Sequence, residues 1–162
     1  MSWDGSYVLF KVLDSQSPYV LAHTRLINIP LLWMVLFINR FTSDSSILQI
    51  VYGLVYAVIP FVALAISCWV VRGYAQALFI WAALGVGLGT LPGQFCLVCE
   101  AISAISLFWP IILAILIRIR RHQVPVIVLF AIVIFFTHPV AIMLFAFGVI
   151  LAFAIGIRSR DR

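Results

Sequence analysis

Residues 92–122 read P-G-Q-F-C-L-V-C-E-A-I-S-A-I-S-L-F-W-P-I-I-L-A-I-L-I-R-I-R-R-H. Between Phe95 and Ile117 the only charged residue is Glu100. A helix over that stretch crosses a hydrocarbon core of about 30 Å, so 95–117 reads as a membrane span. It ends in Arg118, Arg120, Arg121 and His122, the densest basic cluster in the chain. Basic residues collect on the cytoplasmic side of membrane spans. The cluster therefore orients this helix, and its neighbours can be counted from it in both directions.

The whole chain has the same character. Its 162 residues are 65% hydrophobic and 9% charged, against roughly a quarter charged in a soluble domain. A chain of this kind cannot cover its apolar surface with polar groups, so the bilayer is its solvent. The length accommodates one membrane domain, 1–162, and no second domain. The formal charge is +5, but the arginines stand at span ends rather than on one basic face, which excludes a nucleic-acid partner. Residues 1–17 lack the basic start, apolar core and small-residue cleavage site of a secretory leader. The first inserting element is then expected to act as an uncleaved signal.

Working outward, Ile47 to Val71 is a full span with Pro60 as a kink. Arg72-Gly73 is a tight turn, and 74–91 is a second span with glycine at 85, 87 and 89. Residues 95–117 follow, with Pro110 inside. The run 124–157 is too long for one crossing and is broken by Thr137-His138-Pro139, giving 124–137 and 139–157. The expectation is an all-α polytopic bundle of about five spans over 41–162. Residues 1–40 form an N-terminal part of a different kind. Residues 5–14 are amphipathic and read as an interfacial helix. Residues 19–40 admit two readings. Counted from Leu26 they supply about 13 apolar positions, roughly 20 Å, a re-entrant or interfacial length. Counted from Tyr19 they reach across, but bury His23 and Arg25. Ser43 or Asp44 is placed to cap the helix that follows.

One topology satisfies the arginines. Arg72, Arg118, Arg120, Arg121, Arg158, Arg160 and Arg162 fall on the cytoplasmic side, with the C-terminus. Asp44 and Glu100 fall outside, and Asp4 and Asp14 join them if 19–40 does not cross. The expected location is a bacterial cytoplasmic (inner) membrane.

Several residues are candidates for chemistry. Asp4, Glu100 and His138 share the outer side, where carboxylates bind a divalent cation or act as a general base. Each also has a structural reading, as a terminal acid, a helix-start acid and a turn residue. Arg25 can pair with a lipid or pyrophosphate group, or snorkel to the interface. Cys96-Leu97-Val98-Cys99 has C-x-x-C spacing, but in an apolar span two small residues at that spacing are packing more often than redox centres. No tetrahedral metal site is expected, because there is no second pair. Gly85, Gly87 and Gly89 lie inside a span and read as a helix-packing face rather than a nucleotide loop. Ala101, Ser103, Ala104 and Ser106 offer a matching small-residue surface on the next span.

The order W-D-G-S-Y-V-L-F (3–10), H-T-R (23–25), I-N-I-P-L-L-W (27–33), C-E-A (99–101), F-W-P (108–110) and F-F-T-H-P-V (135–140) resembles the N-terminal half of bacterial GT-C-type polytopic glycosyltransferases. The resemblance implies sugar transfer from a polyprenyl-phosphate donor on the outer face. Asp4 would be the essential acid of the first outer loop, and 5–40 the membrane-parallel part. The chain departs from that pattern in two ways. It has no span before the acidic loop, and it lacks the family's later spans.

Two functions remain in view. The first is a small non-catalytic accessory subunit, without cofactor, that packs among membrane lipids against a larger membrane protein. The second is a transferase, or a fragment or subunit of one. In it Asp4, Glu100 and His138 do the chemistry, Arg25 holds phosphate, and a divalent cation assists. Transport is a weaker third reading, for want of matched broken spans and a charged path.

Overall fold

The computed structural model describes residues 3–17, 28–73, 75–90, 100–117, 119–136 and 140–160. Over these residues the chain is all-helical. The helices are α1 (Trp3–Ser15), α2 (Asn28–Asn39), α3 (Ser45–Val71), α4 (Phe79–Gly89), α5 (Glu100–Leu116), α6 (Val124–Phe135) and α7 (Val140–Arg160). Short 3₁₀ turns, Gln76–Leu78 and Arg121–Gln123, lead into α4 and α6.

Alpha-1 buries Val8, Leu9 and Val12, an i, i+1, i+4 stripe, and leaves Tyr7, Phe10 and Lys11 exposed. The Lys11 ammonium sits 5.2 Å from the centre of the Tyr7 ring, one helical turn away, which holds the charge over an apolar surface. Alpha-2 buries Leu32, Val35 and Leu36 and packs on α3. Alpha-3 begins at Asp44, whose carboxylate accepts a 2.8 Å hydrogen bond from the Ser46 backbone N–H. Asp44 rather than Ser43 is thus the cap, and the Thr42 hydroxyl steadies it by accepting from the Asp44 N–H at 3.1 Å. Pro60 lies inside α3 and is buried. It cannot donate to the Tyr56 carbonyl, so the ladder is interrupted in mid-helix.

Alpha-5 is the hub: it contacts α3, α4, α6 and α7, and its largest interface is with α3. Its buried positions include Ser103, Ala104, Ser106, Leu107, Phe108, Ile111 and Leu113. At its midpoint Phe108 meets Phe145 of α7 edge-on at 5.9 Å, and Phe145 meets Phe135 at 6.2 Å. The connections make α3, α5 and α7 run one way and α4 and α6 the other. The C-termini of α3 and α5 therefore share one end with the start of α6. The N-termini of α3, α5 and α7 share the opposite end.

Each of the five expected spans coincides with helix over its described residues. Alpha-3 covers 47–71, the first 3₁₀ turn and α4 cover 76–89, α5 covers 100–116, α6 covers 124–135 and α7 runs from 140. Their lengths differ from the expectation. Among the described residues only α3, with 27 residues and a mean hydropathy of 2.4, is long and apolar enough by itself to cross a membrane. Alpha-4 is an 11-residue helix, about 16 Å long. It starts late, after the turn at Gly73, and stops where the Thr90 hydroxyl and N–H both return to the Val86 carbonyl, at 2.9 and 3.1 Å. Alpha-6 stops at Phe135, where the Phe136 N–H reaches back to the Ile132 carbonyl.

Large apolar side chains lie on the surface as well as in the core. The buried polar residues are Ser67, Thr90, Ser103, Ser106 and Gln123. The surface carries Ile50, Leu54, Phe61, Trp81, Leu88, Leu129, Met143, Ile150 and Phe153, all well exposed. The buried hydroxyls of Ser67, Thr90, Ser103 and Ser106 lie among large buried side chains such as Tyr52, Tyr56 and Phe108.

Candidate functional site

The C-terminal end of α3 gathers the groups with the most polar character. Helix C-termini leave their last carbonyls without internal partners. Here the Gln123 amide, 3% exposed, donates to the Trp69 and Val70 carbonyls at 3.1 and 3.3 Å. Its Oε1 accepts from the Arg120 N–H at 2.8 Å. One side chain thus ties the segment leaving α5 to the end of α3, some fifty residues earlier. The Trp69 ring meets His122 edge-on at 5.9 Å.

The chain leaves α3 through Arg72 and Gly73. Gly73 has φ +102°, a left-handed conformation that side-chain-bearing residues adopt only with strain. A Cβ at Gly73 would stand 3.0 Å from a terminal nitrogen of Arg120, so the Arg120 guanidinium lies directly over the turn. Arg72, Arg120, Arg121 and His122 consequently converge on this end of the bundle. Cations are favoured there by the partial negative charge of the helix terminus.

Between the end of α3 and the start of α4 opens a cleft of about 480 Å³, lined by Ala65, Cys68, Trp69, Val71, Arg72, Gln76 and Phe79. Its wall is apolar and its rim polar. Arg72 and Gln76 are exposed, and neither side chain makes a hydrogen bond or ion pair among the described residues.

The residues singled out from the sequence separate into groups. Asp4 lies in the first turn of α1, and Glu100 is the first residue of α5. Arg25, Arg118, His138 and the Cys96/Cys99 pair lie outside the described residues, as does His23. Arg120 and Arg121 stand at the same end as Arg72. Among the glycines, a Cβ at Gly85 would fall 1.9 Å from Cζ2 of Trp109, so the indole of α5 occupies the space that a side chain would take. At Gly87 and Gly89 nothing lies within 4 Å of a Cβ. Ala104 is fully buried and Ala101 half-buried on α5. No three His, Cys, Asp or Glu residues come together as a metal-binding group among the described residues.

The sequence reading did not single out Gln123, which falls between the basic cluster and the helix from 124. Its one signal was being the only amide between a run of arginines and an apolar helix. Comparison with known proteins finds no family model, no curated protein and no solved structure that matches this chain.

Proposed function

We infer that this protein is a multi-pass helical membrane protein acting as a non-catalytic accessory subunit, packed against a larger membrane-protein partner. The observation that carries the reading is the outer face of α3. Ile47, Ile50, Leu54, Val58 and Phe61 are all exposed. They follow one another at steps of three and four, the spacing of a helix–helix seam. The seam runs from Ile47 to Phe61 on the one described helix long and apolar enough to span, and the opposite face of α3 is buried.

In this reading α3 crosses by itself, and α5 and α7 cross beside it. The shorter α4 and α6 cross with help from their flanking turns, and α2 lies against α3 as a re-entrant arm beside an interfacial α1. The arginine end faces the cytoplasm. A photo-crosslinking residue at Leu54 should join the chain to one larger membrane protein, whereas one at Leu129, on the exposed face of α6, should join it to lipid. Equal capture of lipid at both positions, with a monomer after purification in mild detergent, would sink the accessory role.

A second reading is supported by the shared placement of the α5 and α7 N-termini, with Glu100 opening α5, at the end away from the arginines. It is the polyprenyl-phosphate-dependent sugar transferase, with Asp4 as base or cation ligand, Arg25 on phosphate, and Glu100 and His138 in support. Under it, Asp4→Asn abolishes sugar transfer without affecting membrane insertion. An unchanged glycan profile in that variant excludes it.

A further inference from the structure

We propose that the cleft at the foot of α3 is a binding site for the headgroup and upper acyl chain of an anionic phospholipid, with Arg72 as its phosphate ligand. The proposal rests on the membrane reading above but adds a ligand that neither functional reading supplies.

Three features of the cleft lead to this occupant. The first is charge. Arg72 stands on the rim with its guanidinium uncommitted among the described residues, and Arg120 lies over the adjacent Gly73. The described carboxylate-bearing residues nearest in the chain, Asp44 and Glu100, open helices at the opposite end. A guanidinium suits a phosphate because its planar fork donates two parallel hydrogen bonds. Gln76, exposed on the facing rim, offers an amide that can donate to a phosphate oxygen or a headgroup hydroxyl.

The second feature is the gradient along the wall. Arg72 and Ala65 are seven positions apart on α3, about 10 Å along its axis. The cleft thus runs from the end of the helix toward the hydrocarbon, with Ala65, Val71 and Phe79 on its walls and Trp69 between. Indoles sit at the headgroup level of bilayers. A free anion would leave that apolar wall unused, whereas a phospholipid places phosphate at Arg72 and its first methylenes against Ala65 and Phe79.

The third is that the terminus is already neutralised. The end of a helix repels an anion through its bare carbonyls. At α3 two of them are occupied by the Gln123 amide, which removes part of that repulsion.

The test uses the full chain, purified in mild detergent and delipidated, with native mass spectrometry to count bound molecules. Phosphatidylglycerol, phosphatidylcholine and inorganic phosphate are added in parallel. Phosphatidylglycerol should be retained about tenfold more tightly than phosphatidylcholine, and Arg72→Gln should weaken it about tenfold. Gln76→Leu should weaken it less, and Arg40→Gln, before the opposite end of α3, should leave it unchanged. Arg72 is exposed and without a partner among the described residues, so its replacement does not disturb packing. Gln76→Leu provides an independent second variant. Equal retention of the two lipids, or an unchanged Arg72→Gln, overturns the site. Displacement of phosphatidylglycerol by an equal concentration of inorganic phosphate assigns the cleft to a free anion and overturns the lipid. Alkaline carbonate extraction of membranes separates this from failure of the underlying reading. Release of the chain overturns the membrane assignment itself, whereas retention of the chain with indifferent lipid binding overturns the lipid site alone.

Discussion

Removing the Gln123 amide would leave the Trp69 and Val70 carbonyls to whatever water reaches them. A buried acceptor stripped of its partner costs about 1–3 kcal/mol. The position beside a helix end, where some water enters, favours the lower half of that range. Gln123→Ala should therefore lower stability by about 1 kcal/mol or more in a detergent unfolding titration, and Gln123→Glu, which cannot donate to carbonyls, should not restore it. The glycines make a sharper pair. Gly85→Ala must push the Trp109 indole away, and overpacking of this kind costs about 1–3 kcal/mol. Gly87→Ala meets nothing within 4 Å, and should instead raise stability by up to about 1 kcal/mol, because alanine gives up less backbone entropy in a helix. Opposite signs at two positions on one helix are the expected outcome, and the same unfolding titration reads both.

At the scale of the element, α3 is the helix whose ends are best specified. Asp44 bonds the Ser46 N–H at one end, and Gln123 covers two carbonyls at the other. Replacing a cap carboxylate by alanine costs about 1 kcal/mol. Asp44→Ala should show that loss by thermal unfolding in detergent, and Asp44→Ser should recover most of it. The interior of α3 holds one further irregularity, since the Ser67 hydroxyl is buried without a hydrogen-bond partner among the described residues. Nothing described around it explains why serine rather than alanine stands there. Alpha-4 shows the opposite economy. A 3₁₀ turn delays its start and Thr90 closes it early, and what remains is held by the fit of Gly85 against Trp109.

At the scale of the molecule, the two ends differ in charge. Arg72, Arg120 and Arg121 share one end, with the last turn of α7 directed the same way. Asp44 and the N-termini of α3, α5 and α7 share the other. If the arginine end is cytoplasmic, a reporter inserted between Thr42 and Ser43 should register outside and a reporter fused after Arg162 inside. Finding both on one side would overturn the alternating course of α3 to α7 through the bilayer. The apolar surface on every helix predicts in addition that the chain stays in the pellet after alkaline carbonate treatment.

Hydropathy and charge are local properties, and what depended on them was legible in the sequence. The helical segments, their order, the proline inside α3, the turn at Arg72-Gly73 and the alternation that brings Arg72, Arg120 and Arg121 together all follow from reading residues in sequence. The choice of partner does not. Small residues on α4 and α5 suggested that those two helices would pair tightly. They do touch, but α5 makes its larger interface with α3, because position in the bundle, not composition alone, decides which small faces meet. Gly85, Gly87 and Gly89 are indistinguishable in a sequence, and only the placement of Trp109 separates the one whose space is filled from the two whose space is open. Gln123 reads as a polar residue in a basic turn until the end of α3 is brought beside it. The sequence by itself determined an all-helical, apolar chain with one basic end. The tertiary structure alone decided that α5 is the hub and that one amide closes α3. It also decided that a cleft opens beside Arg72, because each of these depends on atoms brought together from distant parts of the chain.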